Sequence, residues 1–240
     1  MPKQKKEFDQ LDHNVPRQVY LAGCQAIAEG LRADGFTYLK SSQKLRRKSR
    51  DFSFEVSFQS SHNNTAGELV ILWIHAHVFS ITLKTWRAEH ACLLKGSDFV
   101  AGGQIGNLLA QPGWLEWNLA DPAGRSDQIG AAIDTIRRIA WPFFALFDDL
   151  PGLTRQLVDQ GVPSFNTINA LDFLMCFASP ADARQASANM LARLPQAQAG
   201  YALALSSYRT QGLPAITPSA HADVLAMASI VYHFPDLRNG

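Results

Sequence analysis

Phe52-Ser53-Phe54-Glu55-Val56-Ser57-Phe58-Gln59 is the stretch that decides the fold class of this 240-residue chain. Apolar residues hold the even positions and polar ones the odd positions. A strand sends successive side chains to opposite faces, so this pattern lays one greasy face on a core and turns the other outward. The polar run Ser60-Ser61-His62-Asn63-Asn64 through Gly67 supplies the turn that follows. Leu69 to Arg87 comes next, rich in β-branched and aromatic residues and too long for one ordinary strand. It is expected to form a long bent strand, or two strands joined by a bulge near His77 to Ser80. Trp114, Leu115 and Trp117 predict a further short strand after a glycine-rich loop over 101–113.

Upstream, residues 1–13 read as a frayed arm. Asn14 is a candidate helix cap, with Pro16 in the first turn and Ala22, Ile27 and Leu31 on the apolar stripe. Gly35 stops that helix, and Phe36 and Tyr38 open a strand. Downstream the pattern changes. Ser126 or Asp127 can cap a helix whose Ile129, Ile133, Ile136 and Ala140 recur at three or four, and Pro142 should kink or end it. Cap and period rules predict further helices over 151–160, 165–178, 180–194, 198–210 and 218–232, the last stopping before Pro235. Ser179-Pro180-Ala181-Asp182 and Thr217-Pro218-Ser219 both read as cap-plus-proline openings. Sheet first and helices later argues for an α+β fold. The expectation is an N-terminal antiparallel sheet of four to five strands with a packed helix, followed by a C-terminal helical half. It is read as one domain, 1–240, sheet-rich over 1–125 and helical over 126–240.

Apolar residues make up 47% of the chain and charged residues 18%, a globular balance far from that of disordered chains. The richest apolar stretch, Leu69 to Leu83, is broken by His75, His77 and Ser80, so it reads as sheet and not as a bilayer span. Met1 to Asp12 is polar and carries lysines, unlike a secretory signal. Cys24, Cys92 and Cys176 are odd in number, far apart and set among apolar neighbours, as expected of buried reduced thiols in a cytoplasmic protein. The net charge of +1 hides an asymmetry: residues 1–50 carry 11 Lys and Arg against 5 Asp and Glu, whereas residues 51–150 carry 6 against 11. A basic edge beside an acidic middle suggests a polarised surface, not a general binder of polyanions.

His75 and His77 lie two apart, so on a strand they share a face. Zinc needs three or four nitrogen, sulfur or oxygen ligands, and this pair, even with His90 and Cys92 as a second alternating pair, does not close such a set. No metal and no cofactor is therefore expected. Gly102-Gly103-Gln104-Ile105-Gly106 lacks the Lys-Ser/Thr of a phosphate loop and reads as a connector. Lys44, Arg46, Lys48 and Arg50 would line one side of a hairpin strand, with Leu45 and Arg47 on the other. Such a stripe can contact phosphates, or guard an edge strand against unwanted pairing, and the second use is the commoner. Asp148-Asp149 suits a helix N-terminus. The five tryptophans mostly follow core-facing patterns, although one or two at a sheet edge could anchor a partner. No catalytic constellation emerges.

Residues 34–87 resemble a bacterial family known as the domain of unknown function numbered 4304. The likeness rests on Gly35-Phe36 at the helix exit and the basic strand Lys44 to Arg50. It continues through Phe54-Glu55-Val56-Ser57-Phe58-Gln59-Ser60-Ser61-His62-Asn63 and the apolar stretch ending Leu83-Lys84-Thr85-Trp86-Arg87. The resemblance implies a non-enzymatic protein-binding protein, such as an immunity protein that occludes a bacterial toxin encoded nearby. The acidic residues available for that face are Glu55, Glu68, Glu89, Glu116, Asp148 and Asp149. The alternative is a nucleic-acid-binding module using Lys44, Arg46, Lys48 and Arg50.

Overall fold

A computed structural model describes residues 15–215 and 218–239 of the chain. The arm at 1–13, the Asn14 cap and Thr217 lie outside the described residues. The fold is α+β, with a six-stranded antiparallel sheet where four or five strands were expected. Helix α1 (Pro16–Gly30) carries proline in its first turn, where the missing N–H costs nothing. Gly35, with φ of 81°, turns the chain into β1 (Thr37–Leu39). Strands β2 (Lys44–Lys48), β3 (Phe52–Ser60) and β4 (Ile71–Ser80) follow in sheet order.

The segment Leu69 to Arg87 departs from expectation. It is not a bent strand: β4 ends at Ser80, and α2 (Ile81–Glu89) begins at once. Ser80 Oγ accepts the Leu83 N–H at 3.1 Å, and Leu83 and Arg87, one turn apart, are the buried residues of the new helix. His90 and Cys92 consequently lie outside any strand. The glycine-rich stretch departs too. Its start forms β5 (Phe99–Gln104), followed by a 3₁₀ turn, Ile105–Leu108, and then β6 (Glu116–Asn118). Gly102 sits at φ +135°, and a Cβ there would lie 2.2 Å from the Ala76 carbonyl oxygen, so the strand needs glycine at this point.

Helix α3 (Arg125–Thr135) runs through a π turn, Ile136–Ala140, into α4 (Trp141–Ala145). Pro142 therefore neither stops the chain nor meets a regular helical turn. The wider turn, in which the Trp141 N–H reaches back to the Ile136 carbonyl, accommodates it. The next four helices match expectation closely: α5 (Leu150–Asp159), α6 (Thr167–Phe177), α7 (Pro180–Ala192) and α8 (Gln198–Gln211). The last, α9 (His221–Val231), starts later than the expected 218: Pro218 and Ser219 lie before it, and Ala220 holds the cap position with no side-chain bond. No described helix is long and apolar enough to cross a membrane.

The chain divides into two compact units, Met1–Val78 with Gly102–Ala145, and Phe79–Ala101 with Leu146–Gly240. The division differs from a cut near 125, because α3 and α4 belong with the sheet and α2 belongs with the later helices. In the first unit, the even side of β3 and β4 (Phe54, Val56, Leu72, Ile74 and Ala76 among others) is buried. Tyr20 of α1 donates to the Phe58 carbonyl at 2.8 Å, which ties helix to sheet. Phe36 stacks on Trp141 at 4.4 Å between ring centroids, and Arg47 lies over both Phe36 and Phe54.

The second unit is built around a buried ion pair. Arg87 and Asp172 have no exposed side-chain surface, and Arg87 Nε donates to Asp172 Oδ2 at 2.6 Å. The rest of the guanidinium reaches Asn169 Oδ1 and the carbonyls of Ser97 and Phe99. The other carboxylate oxygen accepts from the Leu93 N–H and the Tyr232 hydroxyl. Burying a charge is costly unless its hydrogen bonds are met, and here nearly every one is. The Tyr232 hydroxyl is pushed far up by burial and by the Asp172 charge beside it.

Candidate functional site

Register assigns the faces of the sheet. Leu45 pairs with Val56, and Leu72 with Trp117, all buried; Arg46 pairs with Glu55, and Trp73 with Glu116, on the opposite side. That second side is the open face. It carries Lys44, Arg46 and Lys48 from β2, then Ser53, Glu55 and Ser57 from β3. Trp73, His75 and His77 come from β4, and Glu116 and Asn118 from β6.

The aromatic part of this face is assembled by an excursion between β5 and β6. Gln104 clamps its base, accepting the Gly106 N–H at 2.7 Å and donating to the Leu115 carbonyl. Gly106 is pressed against Gly113, where a Cβ would come within 2.0 Å of a carbonyl oxygen. The result is Trp114, 56% exposed and set edge-on to both Trp73 and His75 at 5.7 and 6.3 Å. Trp73 Nε1 donates to Glu116 Oε2 at 3.1 Å, and the His75 and His77 rings stack at 5.9 Å. Burial lowers the His75 pKa; burial and the neighbouring His75 bring His77 down to about 4. Both imidazoles are neutral at pH 7. Among the described residues no group of three or more His, Cys, Asp or Glu could hold a metal ion.

The basic stripe is partly neutralised from within. Glu55 is only 4% exposed and accepts from Lys44 Nζ at 3.0 Å and Arg46 Nε at 2.7 Å. Burial pushes its carboxyl up, but these hydrogen bonds prevail and hold it below the usual carboxylate range. Glu55 is thus an internal counter-ion, which corrects its assignment to an acidic docking surface. Lys48 and Arg50 are exposed.

The other acidic candidates are divided. Glu68 and Glu116 are exposed in the first unit; Glu89, Asp148 and Asp149 are exposed in the second. Asp149 caps α5, its Oδ1 accepting the Gly152 N–H at 3.0 Å. Among the cysteines only Cys24 is buried, which pushes its thiol up to about 12; Cys92 and Cys176 are half-buried, and none is in a disulfide. The Trp73–Trp114 contact was not legible in sequence, although the odd-numbered parity of Trp73 with His75 and His77 is the signal that places it on the open face. Compared with protein-family models, with curated proteins and with solved structures, the chain matches none.

Proposed function

We propose that this chain is a non-enzymatic protein-binding protein that engages its partner through the open face of its sheet. The observation that carries the reading is Trp114, exposed above Trp73 and His75 on a clamped excursion. Rigid, partly exposed aromatic rings are the side chains that most often anchor protein interfaces, because they cover much area for little lost entropy. The two histidines are neutral, so covering them avoids the cost of desolvating charge. Lys48 at the end of β2 and Arg50, which lies in the turn beyond the strand and not on it as expected, favour a partner with carboxylates opposite them.

The resemblance of residues 34–87 to the family numbered 4304 supports a bacterial toxin as that partner, bound by occlusion. The nucleic-acid alternative draws less support, since Lys44 and Arg46 already share the Glu55 carboxylate. Co-purification with the product of the adjacent gene is the direct test. A complex that Trp114→Ala weakens by about 2 kcal/mol or more is the expected result. If the wild-type chain neither binds that protein nor relieves its toxicity, the reading falls.

A further inference from the structure

The second unit contains a cavity of about 280 Å³ that plays no part in the proposed docking face. Its apolar wall comes from Leu157, Val162, Phe165, Met190 and Leu194. Three polar residues, Thr167, His221 and Arg193, share the lining. Thr167 opens α6 and His221 opens α9, and the Thr167 hydroxyl shares a hydrogen bond of 2.7 Å with His221 Nδ1. When the hydroxyl is the donor, the ring proton is carried by Nε2, which has no hydrogen-bond partner among the described residues. Arg193 is held in place by the bond from Nη1 to the Asp159 carbonyl at 2.8 Å. Arg193 and His221 are both exposed, so their polar ends stand where the pocket meets solvent.

We infer that this cavity binds a small carboxylate with an aliphatic or aromatic body. The size sets the upper limit, because cavities of roughly 300–1,000 Å³ hold drug-sized ligands and this one is slightly smaller. The apolar wall selects the body of the ligand. With the Thr167 hydroxyl as the donor to Nδ1, the guanidinium and the imidazole N–H select the head: a carboxylate accepts from both, whereas a neutral alcohol gives up the charge-assisted bond. Thr167 is buried and fixes the imidazole, so the donor set is held before the ligand arrives.

Hexanoate and phenylacetate are the probes, with hexanol as the uncharged control, followed by amide and methyl NMR shifts on the full chain. Hexanoate is expected to bind with a dissociation constant on the order of 1 mM and to shift Met190 and Ala170 signals. Arg193→Gln, at an exposed position, should weaken it roughly tenfold. Met190→Trp should abolish it by filling the cavity; if that variant misfolds, Arg193→Gln decides alone. No shifts with hexanoate, equal binding of hexanol, or undiminished binding to Arg193→Gln overturns the inference. None of these results bears on the sheet face, so this site and the docking face stand or fall separately.

Discussion

At His77, burial and the adjacent His75 ring hold the imidazole pKa at about 4, against 6.5 for a free side chain. The unfolded chain therefore binds more protons than the folded one between those values, and stability falls as pH drops from about 6.5 towards 4. The loss should be on the order of 1–2 kcal/mol, damped by the partial exposure of the ring. Urea midpoints measured across that window should slope for the wild type and flatten for His77→Gln. Glu55 acts further down. Its folded pKa lies below the 4.5 of a free glutamate side chain, so its contribution is present above that value and is lost as pH falls through the folded one. Arg87 ties together Asp172, Asn169 and the carbonyls of Ser97 and Phe99 in the second unit. Arg87→Met leaves Asp172 buried without its counter-ion, and a cost of about 3–5 kcal/mol is expected in chemical denaturation.

Elements differ in how far local sequence explains them. Strand β3 was legible because its period-two pattern is complete in eight residues, and α5 and α7 because capping residues stand in front of their prolines. The β4–α2 junction was not, since Leu69 to Arg87 has a composition that suits a strand and a buried helix about equally. What breaks the tie is the Ser80 cap together with Arg87, whose partner Asp172 lies 85 residues away. Ser80→Ala should remove the cap and destabilise the junction by about 1 kcal/mol. Hydrogen exchange of the first-turn amides of α2, Leu83 above all, should quicken while β3 amides stay protected. The glycine-rich run Gly102 to Gly106, which forms the end of β5 and the start of the excursion, reads as a connector in sequence because glycines carry no pattern. Their purpose is visible only where Gly102 meets the Ala76 carbonyl and Gly106 meets Gly113.

For the molecule as a whole, chain order and compact unit do not coincide. The chain passes between the units at three points, so neither unit is one continuous stretch. A cut at 145/146 separates Arg87 from Asp172 and Asn169, leaving a guanidinium on one fragment and its carboxylate on the other. Fragments 1–145 and 146–240 are each expected to lose cooperative unfolding, read by circular dichroism against denaturant, while the intact chain keeps it. A fragment 146–240 that unfolded as sharply as the full chain would contradict the role assigned to Arg87.

By itself the sequence determined the α+β class, the order of sheet before helices, the strand at 52–59 and the positions of most later helices. Those features rest on periodicity and caps, which are contained within a few residues. Tertiary structure decided the rest. Strand register chose which side of the sheet stays open and set Arg46 opposite Glu55, so that an apparent docking acid became an internal counter-ion. Long-range packing turned the end of an apolar run into a helix anchored on a distant aspartate, and brought Thr167 to His221 across 54 residues. Such pairings depend on where the backbone returns in space, and no local pattern encodes that return.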